Sequence, residues 1–336
     1  MVDPIQLHRT HQWQSPHILF SLTRVPHRER VLVGSSDFQI YELDFAAETL
    51  EATAFTGAGH SSYVSGLALV NQTMISAGYD GRLIYWDLES RQPLRSVDAH
   101  PKWIRQLTLA PDGKRLYSVA DDMQCKAWDV ATGDLVATFS DHAPLTPQHY
   151  PSMLYAVAVS SDGQRLATGD RVGHVAIWDT HSFEQIGELE APGLYTWDPQ
   201  RRRHSIGGIR SLAFSPDATQ LAVGGVGQIG NVDHLKGPSR LEIFAWQSGQ
   251  RQHEFEDNKK QGLIEKIIWS PDARTVLAMG GEHQGFLNVF DLGSGELLHQ
   301  AGSDGHIHDG VVDEAFEHLY IAGHQRVERW SLVKPA

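Results

Sequence analysis

Residues 100–129 read HPKWIRQLTLAPDGKRLYSVADDMQCKAWD, and three strands with the turns between them are legible in this one stretch. Trp103 and Arg105 stand two apart across Ile104, so an extended backbone puts both opposite the core-facing residue. Ala110-Pro-Asp-Gly113 then separates two apolar runs. Proline presets φ for the second turn position, aspartate can hydrogen-bond its own backbone and glycine permits positive φ, which together make a hairpin turn. The third run closes on Trp128-Asp129. No helical period is present.

The same punctuation recurs along the chain. Ser160-Ser-Asp-Gly163, Ser215-Pro-Asp-Ala218 and Ser270-Pro-Asp-Ala273 also lie between apolar runs. Strand-like runs ending in an aromatic residue place anchors at Tyr41, Trp86, Trp128, Trp178, Phe244, Phe290 and Trp330, separated by 45, 42, 50, 66, 46 and 40 residues. A four-stranded propeller blade repeats at about 40–45 residues. The runs Arg82–Asp87, His174–Asp179 and Phe286–Asp291 read as third strands, and turns such as Ala131-Thr-Gly-Asp134 and Gly293-Ser-Gly-Glu296 lead into fourth strands. The expected fold is all-β, a seven-bladed β-propeller of four-stranded antiparallel blades forming one domain over 1–336. Only six residues come after Trp330, so a segment within 1–16 is expected to supply the outer strand of the last blade and close the ring.

Trp-Asp pairs stand at 86–87, 128–129 and 178–179, and with this phasing nearly the whole chain resembles the WD-repeat family. The resemblance implies a buried tetrad of loop His, strand-two hydroxyl, turn Asp and Trp. It is complete as His60, Ser76, Asp80 and Trp86, and as His100, Ser118, Asp122 and Trp128. The next repeat keeps His142, Thr168 and Trp178 but has Val172 at the Asp position, while the Phe244 and Phe290 repeats lack an indole. The resemblance also implies partner-facing positions at Tyr63, Ser65, Tyr79, Trp103, Arg105, Asp121, Met153, Tyr155, Gly208 and Arg210.

The chain carries 28 Lys and Arg against 41 Asp and Glu, a net charge of −13, which opposes sequence-independent attraction to nucleic acid or anionic membranes. No signal-peptide-like or membrane-spanning apolar run is present, and with one cysteine, Cys125, the chain is expected to be cytoplasmic. Gly225-Val-Gly-Gln-Ile-Gly230 matches a dinucleotide-binding pattern, but Asn231-Val-Asp-His-Leu-Lys-Gly-Pro238 leads into a strand instead of the helix that would meet a phosphate. Cys125 sits at a core-facing strand position. No nucleophile elbow, zincin or P-loop spacing occurs.

Histidine is abundant, with 19 residues. Beyond the repeat histidines, His149, His204, His234, His283, His306, His308 and His324 fall in connections opening on one face. They form a metal or pH-sensitive site only if several converge across separate blades, and are otherwise scattered polar loop residues. The expectation is no catalytic residue, no cofactor and no metal.

The 66-residue interval is about twenty residues longer than its neighbours, divided between insertions at 191–207 and 226–239 in the fifth blade. The first pairs Tyr195 and Trp197 with a run of arginines: either an interface anchor, or aromatics packed on the blade beside solvated cations. The expected function is a non-enzymatic scaffold binding a protein or peptide through the upper face, at Tyr63, Tyr79, Trp103, Arg105, Asp121, Tyr155, Tyr195, Trp197 and Arg210. Alternatives are a propeller hydrolase or lactonase with a channel metal, and a purely architectural subunit.

Overall fold

A computed structural model describes residues 5–199 and 204–333. The first residues of the expected closing segment and residues 200–203, the basic part of the first insertion, lie outside the described residues. The fold is an all-β propeller of antiparallel four-stranded blades. Five sheets contain four strands each, joined in sequence order, as in Val64–Val70, Thr73–Gly78, Arg82–Asp87 and Pro93–Asp98. A sixth sheet has six strands, because one long strand, Gln6–Arg24, serves two neighbours. Its first part, from Gln6 to Gln14, pairs with His318–Val333, and its last part, from Leu19 to Arg24, pairs with Arg30–Ser35.

Seven innermost strands are arranged in a circuit: Gln6–Arg24, Val64–Val70, Ile104–Leu109, Leu154–Val159, Ile209–Phe214, Leu263–Trp269 and Ile307–Val312. Each contacts the next, and the last returns to the first. The core therefore lies between blades. Ile75, Leu83 and Tyr85 of one blade, for example, pack against Ile104, Leu116 and Trp128 of the next. Cys125 is buried in the following wedge beside Tyr117 and Trp178, where burial pushes its thiol pKa up and keeps it protonated.

The third strands Arg82–Asp87 and His174–Asp179 form where the sequence placed them, and the third begins one residue earlier, as Gly285–Asp291. The first anchor is corrected. The pair Val31–Leu43 occupies the register of Met74–Trp86, so Leu43, fully buried, stands in the anchor slot. Tyr41 lies two residues earlier on the same face and donates its hydroxyl to Asp37 Oδ2 at 2.6 Å. Aromaticity misled there because a leucine fills the same apolar wedge.

The fifth-blade insertions form one unit. The first is a short 3₁₀ turn, Pro192–Leu194, followed by a β-hairpin of Tyr195–Asp198 and His204–Gly207. In the second, Gln228 Nε2 donates to Tyr195 O at 2.9 Å, Ile229 N donates to Thr196 Oγ1 at 3.0 Å, and Ile229 joins Val226 and Leu263 in a small apolar cluster. The stretch after Gly225 is thus a loop between strands Gln220–Val226 and Pro238–Ala245, with no helix for a phosphate. Among the described residues no helix is long and apolar enough to cross a membrane.

Candidate interaction surface at the mouth of the channel

The loops on this face are held by buried tetrads. His60 Nδ1 lies 2.9 Å from Asp80 Oδ1, its Nε2 lies 2.7 Å from Ser76 Oγ, and Trp86 Nε1 donates to the same oxygen at 2.8 Å. The next blade repeats this, with His100 2.9 Å from Asp122 and 2.7 Å from Ser118, which accepts Trp128 Nε1 at 2.8 Å. Because the serine accepts from the indole, its own proton satisfies His Nε2, leaving Nδ1–H for the carboxylate. Burial lowers the His100 pKa despite the Asp122 charge, so the ring is neutral. Burial alone would raise Asp80, but hydrogen bonds from His60, the Ser61 amide and Arg82 hold it well below the usual carboxylate range.

The tetrad of the Trp178 blade is complete, contrary to the sequence expectation. Asp170, at the end of its strand, places Oδ2 3.0 Å from His142 Nδ1, while Thr168 Oγ1 lies 2.8 Å from Nε2 and accepts Trp178 Nε1 at 3.1 Å. Trp330 finds a different partner, donating to the buried carboxylate of Glu328 at 2.9 Å.

Every innermost strand has a register irregularity where its inner portion begins, and the residue at that bulge lines one cavity. These are Phe20, Ser65, Arg105, Tyr155, Arg210, Glu265 and His308. A bulge adds a residue to one strand and re-aims its side chain, here toward the channel. The cavity holds about 220 Å³. Arg105 is clamped by Asp121 through Nε to Oδ1 and Nη2 to Oδ2, both at 2.7 Å, and its Nη1 donates to Tyr79 Oη at 3.0 Å. Burial would lower its pKa, but Asp121 outweighs burial and raises it, so the guanidinium stays charged. Arg210 lies over the Tyr155 ring at 3.7 Å.

An aromatic row rises from this ring. Tyr79 and Trp103 stack in parallel at 4.8 Å, Tyr63 lies 5.7 Å from Tyr79, and Phe38 lies 5.9 Å from Tyr63. Phe20 stacks beneath Tyr63 at 5.3 Å. Trp103 is 50% exposed, Tyr63 40% and Phe38 39%.

Seven expected partner-facing residues, Tyr63, Tyr79, Trp103, Arg105, Asp121, Tyr155 and Arg210, thus meet in one assembly. Tyr195 and Trp197 are tied to the long connection of the preceding blade. Tyr195 Oη donates to Gln148 Oε1 at 2.5 Å, and the Trp197 ring lies 5.4 Å from Tyr150. Ser65 is buried and donates to Ile104 O, and Gly208 takes φ 103° against the Arg171 backbone, so both serve the backbone. Sequence reasoning missed Phe20, Phe38 and Glu265, and named His308 only as a candidate metal or pH-sensitive histidine.

The histidines correct another expectation. Convergence occurs within one blade: His306 and His308 open the strand Ile307–Val312, and His324 precedes a residue with positive φ, Gln325. Ring centroids are 4.4 Å apart for His306 and His308, and 5.0 Å for His308 and His324. His149, His234 and His283 are exposed elsewhere.

The family model of the WD domain, G-beta repeat, matches residues 91–129 and 133–179. These two stretches contain the Trp128 and Trp178 anchors. The chain contains WD repeats. Similar WD-repeat relatives include the mouse (Mus musculus) telomerase protein component 1, 26% identical over 68% of this chain and 7% of that protein. The nuclear distribution protein PAC1 of Arthroderma benhamiae is 30% identical over 56% of this chain and 42% of its own length. A guanine nucleotide-binding protein subunit beta of Oryza sativa subsp. indica is 26% identical over 49% and 45%. The chain spans less than half of each of these relatives. The matched residues carry the tetrads of Trp128 and Trp178, while the aromatic row extends beyond them to Phe38, Tyr63 and Tyr79.

Proposed function

We propose that this chain is a seven-bladed, non-enzymatic platform that binds a protein or peptide segment on the face bearing the bulge ring and the aromatic row. Seven bulge residues around one cavity support the blade count, and the double pairing of Gln6–Arg24 supports closure by the N-terminal strand. Five four-stranded sheets and one six-stranded sheet accommodate seven blades when the long strand serves the last blade and the first.

The observation that carries the binding reading is the contiguous row Phe38, Tyr63, Tyr79 and Trp103, of which Phe38, Tyr63 and Trp103 are exposed. Single exposed apolar residues are ordinary on a monomer, whereas a contiguous aromatic patch marks an interaction site. Aromatic anchors beside an arginine already fixed by Asp121 bring large area at little ordering cost. Of the carboxylates lining the cavity, Asp309 is engaged structurally by Lys266 Nζ and the Leu22 amide, both at 2.8 Å, and Asp121 is held by the cavity's Arg105. Two relatives are called a subunit and a component, names that describe parts of larger assemblies.

The test is affinity capture from the native cell, quantified by mass spectrometry, with wild type, Tyr63→Ala/Trp103→Ala and Leu94→Ala. Leu94 is exposed on the outer strand Pro93–Asp98 and serves as the control. All three chains are first matched for melting temperature. A partner held by wild type and Leu94→Ala, but reduced at least about tenfold by the double variant, is expected from losing anchors worth about 2 kcal/mol or more. Equal recovery by all three places binding off this face.

A further inference from the structure

We infer that His306, His308 and His324, with Glu265 beside them, form a binding site for one divalent transition-metal ion of the Zn²⁺ class at the edge of the channel. Among the described residues these three histidines are the one group of three or more His, Cys, Asp or Glu side chains whose ligand atoms converge, all lying within 4.8 Å of one another. Ligand nitrogens around tetrahedral zinc at about 2.0–2.1 Å are roughly 3.4 Å apart, so small side-chain rotations close the set. Glu265 Oε1 lies 3.5 Å from His306 Nε2 and supplies a carboxylate from the neighbouring blade.

Two further observations point to a ligand. The Nε2 atoms of His306 and His308 are buried and have no hydrogen-bond partner. Buried polar atoms are nearly always satisfied, and two orphaned imidazole nitrogens on converging rings are donors an ion would complete. The backbone is also built to bring these rings together. His324 N donates to His306 O at 2.8 Å, and the flanking glycines permit the approach: a Cβ at Gly323 would lie 2.1 Å from His306 O, and one at Gly305 2.9 Å from His324 O.

The donor chemistry selects the ion. Imidazole with one carboxylate suits Zn²⁺, Co²⁺ or Ni²⁺, whereas Ca²⁺ and Mg²⁺ require oxygen ligands. His308 and Glu265 both line the cavity, which places the set at the edge of the channel. His308 also touches Phe20 at 5.0 Å, adjoining the aromatic row.

The experiment titrates the metal-free full chain with ZnCl₂ by calorimetry and with CoCl₂ by visible absorption. Wild type is expected to take up one equivalent and to give the intense d–d bands of a low-symmetry nitrogen-ligated Co²⁺. His324→Ala, at a partly exposed position, and Glu265→Gln each weaken uptake by at least about tenfold, while His149→Ala, in an exposed loop, leaves it unchanged. Circular dichroism checks that each variant folds, and the wild-type Co²⁺ spectrum needs no variant. No saturable uptake, a Co²⁺ spectrum unchanged from the aqueous ion, or equal uptake by wild type and His324→Ala would overturn the site.

Discussion

Position 170 shows how one side chain can complete a network from an unexpected backbone site. The pair Leu154–Asp170 occupies the register of Val64–Gly78. A Cβ on Gly78 would lie 2.6 Å from His60 Nδ1, so a side chain grown there runs straight at the imidazole. Asp170 uses that route, while Asp80 reaches the same nitrogen from two residues further on. His142 and Asp170 are both buried, at 6% and 1% exposure. Asp170→Ala is therefore expected to cost about 1–3 kcal/mol in urea denaturation through the orphaned imidazole, against less than about 0.5 kcal/mol for Val172→Ala at a half-buried turn position. Equal losses would remove the assignment. Counting back six residues from the tryptophan found two tetrads and missed this one, because sequence offset fixes a chain position and not the direction from which a carboxylate approaches.

At the scale of the element, backbone conformation explains both what was legible and what was hidden. The four turns that end on Gly113, Gly163, Ala218 and Ala273, each with aspartate before its last residue, all place that last residue at positive φ: 70° at Gly113, 71° at Gly163, 57° at Ala218 and 58° at Ala273. Each N–H there donates to the first turn residue, as Ala218 N does to Ser215 O at 2.9 Å. Alanine in this region is strained by its Cβ, so Ala218→Gly and Ala273→Gly are each expected to stabilise by about 1 kcal/mol. Gly163→Ala should lose a similar amount, and unchanged thermal midpoints for all three would show that the turns relax. Turn residues announce themselves by type, which is why these hairpins were read correctly. The bulges do not, since register alone creates them and residues as different as Phe20, Arg105, Glu265 and His308 occupy equivalent positions. Alignment to the tetrad repeats supplied a reference for Arg105, Tyr155 and Arg210, and did not reach Phe20 or Glu265.

For the whole molecule, the question is what keeps a ring of separately packed wedges from opening. The strand Gln6–Arg24 crosses from the Trp330 strand to the sheet of Leu43, so one continuous backbone binds the end of the chain to its beginning. Leu7, 4% exposed, packs with Trp330 and Leu332, and Arg9 Nη1 lies 3.0 Å from Oε1 of the fully buried Glu328. Removing residues 1–14 would expose the Trp330 strand edge and strip Glu328 of a cation, leaving a buried charge that is costly when under-compensated. Leu7→Ala removes only apolar contact and is expected to cost about 2–4 kcal/mol while unfolding stays cooperative. The 1–14 deletion is expected to lose more than this and to broaden the transition, because blades freed at the seam contact a neighbour on one side only. A deleted chain that melts at the full-length midpoint with equal sharpness would mean that each wedge between blades is sufficient alone and that the seam is not what holds the ring.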